Sequence, residues 1–166
     1  MNSHWPVPIK AFDEIWTIAN KEEFAYELGK FIAHKRHARK LPLSEKEHVF
    51  GILSDMQSWI EMEGFHDLFY QAYKLSDCVL VEKTMREIGT EQLANLFAEA
   101  KHIYTRHKTD ITEEEFRKLE PFDLPEGDGA RFDEIAKEFY GSDSQLFELG
   151  DRLADFARKH RAEFYP

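Results

Sequence analysis

The chain has 166 residues, of which 42% are hydrophobic, and this size and composition are typical of one folded domain and exclude a wholly disordered chain. Its formal net charge is −10, and residues 110–151 hold fourteen Asp and Glu against four Lys and Arg, whereas the rest of the chain is balanced. No signal-peptide pattern opens the chain and no apolar run approaches 18 residues, so we expect a cytoplasmic protein that does not enter a membrane.

Apolar residues recur at helical spacing along nearly the whole chain, which predicts an all-α fold of about seven or eight helices in a single compact domain, 1–166. A short helix is expected over 12–19, and a second follows the N-cap residue Asn20. The second helix ends in the basic stretch 34–40, which we interpret as a solvated helix end whose cations complement the helix dipole. Ser44 and Glu47 form a capping box that opens the third helix.

The second half of the chain contains further helix-start signals, namely Ser76 or Asp77, Thr90, Thr112 with Glu115, and Ser142 with Gln145. Gly64, Gly89 and Gly141 are the expected helix ends. The segment Pro-Glu-Gly-Asp-Gly at 125–129 is predicted to be a loop, followed by a helix over 130–140.

Two Glu-x-x-His patterns offer a metal-site alternative, Glu45 with His48 and Glu99 with His102. Residues three apart on a helix point to the same side and can share a metal, as in bundle-type di-iron sites. Capping already explains the first pair, however, and further inward-facing carboxylates are not evident. We therefore expect no catalytic, metal or cofactor site. An enzyme with a metal bound to His48 and His102 remains as a third hypothesis beside the two non-enzymatic ones given below.

The acidic stretch is the remaining candidate for function. Carboxylates three or four apart on a helix lie about 5–6 Å from each other, comparable with the phosphate spacing along a nucleic-acid strand. A concentrated negative field attracts basic proteins and repels nucleic acid, although solvated acidic faces are also common in soluble proteins. The candidate partner-binding residues are Glu113, Glu114, Glu120, Asp123, Glu126, Asp128, Asp133, Glu134, Glu138 and Asp143.

Two segments carry a family resemblance: 61–70, which contains Gly64 and Phe65, and 85–90, which ends in Gly89 and Thr90. Together they resemble the signature of the bacterial DNA-mimic-protein-like family of small all-helical domains. The resemblance covers roughly 44–166 and leaves 1–43 as an N-terminal helical extension packed on it. Glu63 replaces a family glycine, and Thr90 stands where alanine is usual.

The resemblance implies a non-enzymatic inhibitor whose acidic surface stands in for duplex DNA and occupies a DNA-binding protein, such as a transcription regulator. The expected partner is thus a basic protein surface, without direct nucleic-acid binding and without a membrane. An alternative that requires the same acidic surface is an immunity or antitoxin protein that neutralises a basic toxin. The sequence leaves open whether the chain forms a homodimer.

Overall fold

The computed structural model describes residues 8–63, 74–106, 112–116, 118, 125–141 and 144–166, with side chains described except at 57–63, 116 and 126. Over these residues the chain forms eight α-helices and two short 3-10 helices, with no β-strand. The predicted all-α fold is therefore confirmed. The expected helix end at Gly64 and the family motif around Phe65 lie outside the described residues.

The α-helices, in chain order, are α1 (Phe12–Ile15), α2 (Lys21–His37), α3 (Glu45–Glu63), α4 (Leu75–Glu87), α5 (Glu91–Thr105), α6 (Glu113–Phe116), α7 (Glu126–Tyr140) and α8 (Leu149–Lys159). The 3-10 helices are Gln145–Glu148 and Arg161–Glu163, one on each side of α8.

Three of the predicted helix starts depend on side-chain caps that the structure confirms. The side chains of Asn20, Ser44 and Thr112 each accept a hydrogen bond from the backbone N–H three residues later, at 2.8, 3.0 and 3.2 Å. Each bond satisfies one of the backbone donors that a helix leaves unpaired in its first turn. These caps fix the starts of α2, α3 and α6 from local sequence.

Two predicted starts differ in detail. The helix expected to start at Ser76 or Asp77 is α4, which begins at Leu75. Thr90 precedes α5, but its hydroxyl donates to the Met85 carbonyl at 2.8 Å and does not cap the helix. Because Thr90 is fully buried, its hydroxyl needs an acceptor inside the protein, and the Met85 carbonyl in the last turn of α4 provides it. The turn between α4 and α5 uses Gly89, whose φ of 79° is the left-handed conformation that favours glycine.

The predicted loop at 125–129 is wrong, because α7 begins at Glu126. The Pro125 carbonyl accepts the N–H groups of Asp128 and Gly129 at 2.8 and 2.9 Å, which forms the first helical turn. Proline is favourable at a helix start, since its missing N–H is not needed there. Before α8, Ser144 accepts the N–H of Leu146 at 3.1 Å, whereas the predicted cap Ser142 lies outside the described residues.

The chain divides into two compact units, unit 1 (Met1–Asp55 and Glu148–Pro166) and unit 2 (Met56–Phe147). In unit 1, α2 packs along α8, and the buried side chains include Phe24, Leu28, Phe31, Leu153 and Phe156. At Gly29 of α2 an added Cβ would lie 2.7 Å from Ser54 Oγ, so α2 and α3 approach closely there. Organisation as a single domain stays a prediction.

In unit 2, α5 is the central helix and packs against α4 and α7, while α6 packs against α4. Its core contains Cys78, Met85, Phe97, Phe132 and Phe139, all fully buried. Across all the described residues, we find no helix with both the length and the apolar composition needed to cross a bilayer.

Candidate partner-binding surface

The acidic stretch of the sequence supplies two helices, and unit 2 holds them on different neighbours. The short α6 packs on α4, and the longer α7 packs on α5. Phe132, Ile135 and Phe139 of α7 face the core and are fully buried. The carboxylates on the other side of α7 are therefore held at fixed positions on the surface of unit 2.

A single guanidinium organises the outer side of α7. Arg131 binds both carboxylate oxygens of Glu99 on α5, at 2.7 and 2.9 Å. Its Nη1 also donates to Glu134 and Glu138, both at 3.1 Å. The Arg131 hydrogen bonds lower the pKa of Glu99, and bonding to the three carboxylates raises the pKa of Arg131. The three carboxylates are therefore held in one hydrogen-bonded network around Arg131.

These carboxylates nevertheless stay accessible to a partner. The side chains of Glu134 and Glu138 are 63% and 52% exposed, and Asp133 is exposed beside them. We call Glu99, Asp133, Glu134 and Glu138 the α7 acidic surface. Of the predicted partner-binding residues, the structure brings Asp133, Glu134 and Glu138 together on it.

Asp128, another predicted partner-binding residue, does not lie on this surface. The residue is buried in the first turn of α7, where its Oδ2 accepts a hydrogen bond from Arg106 Nε at 2.6 Å. A buried carboxylate requires such a partner, because desolvation disfavours an isolated charge. Asp128 therefore joins the end of α5 to the start of α7.

Glu113 has a structural role that its sequence context did not indicate. Its two carboxylate oxygens accept the backbone N–H groups of Leu75 and Ser76, both at 2.8 Å. These N–H groups belong to the first turn of α4, where an anion is favourable. The next residue, Glu114, is highly exposed and pairs with Lys118. Glu114 thus pairs with a neighbouring lysine at the surface, whereas Glu113 is bound to the backbone of α4.

The other predicted partner-binding residues are not placed. Glu120, Asp123 and Asp143 lie outside the described residues, and Glu126 opens α7 with a side chain that is not described.

One residue of the metal hypothesis, Glu99, is already engaged in an ion pair. Its carboxylate oxygens accept hydrogen bonds from Arg131 at 2.7 and 2.9 Å. His48 is half-buried in unit 1, and His102 is exposed in unit 2. Within the part of the chain that the structure describes, no group of three or more His, Cys, Asp or Glu side chains is arranged to hold a metal ion.

Sequence reasoning missed two features. Arg131 lies three and seven residues before Glu134 and Glu138, so its pairing along α7 was readable from helical spacing. Lys35 was assigned to a solvated helix end, whereas its side chain is 2% exposed and pairs with Glu47 at 2.9 Å. No local signal identifies Lys35, because its partner is on the next helix.

Comparison with known proteins supplies one further finding. A family model described as DMP19-like protein matches residues 42–160, close to the 44–166 over which the sequence showed its resemblance. The match includes α3 to α8 and leaves out α1, α2 and the 3-10 helix after α8. No curated protein and no solved structure matches the chain.

Proposed function

Because the chain belongs to the DMP19-like protein family, we propose that it is a non-enzymatic interaction protein that binds a basic protein surface in the cytoplasm of a bacterium. The observation that carries the proposal is the α7 acidic surface, whose carboxylates are exposed, three of them held together by Arg131. Complementary charge accelerates the encounter of two proteins and selects partners of opposite sign.

The more specific proposal is that this surface takes the place of duplex DNA. Glu134 and Glu138 are four residues apart on α7, a spacing of about 5–6 Å between Cβ atoms that is comparable with the phosphate spacing of a nucleic-acid strand. A transcription regulator holds such phosphates with Lys and Arg side chains in its DNA-binding groove. We infer that these basic side chains bind the α7 acidic surface in the same way.

Two measurements test the proposal together. The tagged protein is used to capture partners from native extract, and the captured protein is then challenged with salt and with duplex DNA. A DNA-binding protein released both by raised ionic strength and by excess duplex supports DNA mimicry. Capture of a basic toxin that excess duplex DNA does not release supports the immunity alternative. Binding that is insensitive to salt contradicts both, because exposed ion pairs are screened.

Charge reversal locates the surface. Asp133→Lys with Glu134→Lys changes the net charge by four units and should weaken partner binding at least about tenfold, since like charges then face each other. The matched control is Asp13→Lys with Glu22→Lys, the same charge change at exposed positions of α1 and α2 in unit 1. An equal loss of affinity in the two variants would show that net charge alone matters and would refute the surface.

A further inference from the structure

In unit 1, residues 164–166 (the tail) follow the second 3-10 helix, and Phe164 and Tyr165 contact α2, α3 and Trp16 at the end of α1. Phe164 is extended, with φ −105° and ψ 128°, and its side chain is 2% exposed. Its ring makes edge contacts with Trp16 and Phe50, at centroid distances of 6.0 and 5.8 Å. Phe164 therefore fills an aromatic pocket formed by side chains from α3 and from the end of α1.

The residue after Phe164 is held by its main chain. The Tyr165 N–H donates to Glu47 Oε1 at 3.2 Å, and the Tyr165 carbonyl accepts from Lys35 Nζ at 2.8 Å. Lys35 and Glu47 are almost wholly buried and bind each other. The Tyr165 ring is partly exposed and lies over Lys35 Nζ at 4.0 Å.

These contacts have the pattern by which proteins recognise extended peptides. Main-chain hydrogen bonds give affinity in such sites, and a pocket for one side chain gives specificity. A buried ion pair adds little stability over an apolar pair of the same volume, so its use here is to direct one donor and one acceptor at a backbone. Trp16, Lys35, Glu47 and Phe50 form what we call the tail cleft.

We propose that the tail cleft is a peptide-binding site that the protein's own tail occupies, and that it accepts an extended segment of a partner protein in which phenylalanine is followed by a residue other than proline. The exclusion of proline follows from Glu47, which requires an N–H at that position. The tail competes at an effective concentration of the order of millimolar, as short tethers do, so a partner binds when the tail is displaced.

The test uses the full chain with Phe164→Ala, which removes the aromatic anchor of the tail and leaves the cleft residues intact. The probe is a fluorescent hexapeptide with the sequence of residues 161–166, and binding is measured by anisotropy. The peptide should bind this variant and should not bind the control Phe147→Ala, which removes a phenylalanine that is 65% exposed in unit 2. Replacing phenylalanine in the peptide by alanine should abolish binding.

Two further changes test the main-chain contacts. A peptide with an N-methyl group on the tyrosine nitrogen lacks the N–H that Glu47 accepts, and Lys35→Met in the Phe164→Ala chain lacks the donor to the carbonyl. Each should weaken binding about tenfold or more, since both hydrogen bonds involve a charged group. Equal affinity for the N-methyl peptide would overturn the proposal.

The remaining outcomes also decide the matter. If Phe164→Ala does not fold alone, the peptide at 1 mM, the order of the tail's effective concentration, must restore its helical circular dichroism. Failure to restore folding, or absence of binding to a folded variant at that concentration, shows that the tail is a permanent part of unit 1. Exchange of tails between two copies, detected as a dimer of the unchanged protein that Phe164→Ala abolishes, assigns the cleft to a second copy and refutes a partner protein.

Discussion

The buried pair of Lys35 and Glu47 gives the sharpest prediction about stability. Lys35→Met keeps the length of the side chain and removes its charge together with the bonds to Glu47 and to the Tyr165 carbonyl. The Glu47 carboxylate then stays shielded from water, with the Ser44 and Tyr165 N–H groups as its remaining donors. Breaking a buried pair from one side costs about 3–5 kcal/mol, and we expect this loss in the free energy of unfolding.

The matched control is Lys21→Met on the same helix. Lys21 pairs with Asp155 at 2.6 Å, which is shorter than the 2.9 Å between Lys35 and Glu47, but the Asp155 side chain is 59% exposed. An exposed pair contributes about 0.2–1 kcal/mol. If burial decides the energy, Lys35→Met is several-fold more destabilising than Lys21→Met, although its ion pair is the longer one.

Urea denaturation followed by circular dichroism measures both variants. The double variant Lys35→Met with Glu47→Leu should be less destabilised than the sum of the two single changes, because neither charge is then left alone in the interior. A Lys35→Met variant within about 1 kcal/mol of Lys21→Met, or strictly additive single changes, would refute the assignment of a buried, coupled pair.

Two more predictions concern packing and pH. Gly29→Ala places a Cβ 2.7 Å from Ser54 Oγ and should destabilise the protein by about 1–3 kcal/mol. Gly150→Ala meets no neighbouring atom within 4 Å and should stabilise α8 by about 0.5–1 kcal/mol. Thermal unfolding measures both variants, and a change of the same sign in both would contradict the close approach of α2 and α3. Because Arg131 lowers the pKa of Glu99, their bond contributes stability at neutral pH. That stability is lost as the pH falls below 4.5, the ordinary pKa of a glutamate. Solvent screening keeps the loss below about 1 kcal/mol. Arg131→Gln should flatten that part of the pH profile of unfolding, and an unchanged profile would show that the bond contributes nothing.

Local chemistry explains which parts of the fold were predictable. Asn20, Ser44 and Thr112 act on N–H groups three residues away, so the sequence contains the whole interaction and the helix starts are correct. The segment after Pro125 was misread because its glycines are also typical of loops. Its helical turn is supported by the ion pair of Asp128 with Arg106, which no local pattern indicates.

The candidate site, like the helix starts, was predictable only where the interacting residues are close in sequence. Charge counting located α7, and helical spacing was enough to group Glu134 with Glu138. It did not show that Glu113 and Asp128 are engaged with the start of α4 and with Arg106. Those two roles depend on partners more than twenty residues away in the chain, so they follow only from the tertiary packing.

Arg131 has a consequence for the entropy of binding. A flexible glutamate loses rotamer freedom when a partner immobilises it, at about 0.5–1.5 kcal/mol for each such side chain. Glu99, Glu134 and Glu138 are already restrained by one guanidinium in the unbound protein. The arginine thus offsets one unit of negative charge on the surface. The three carboxylates are already ordered before a partner binds, as the phosphates of a stiff DNA duplex are.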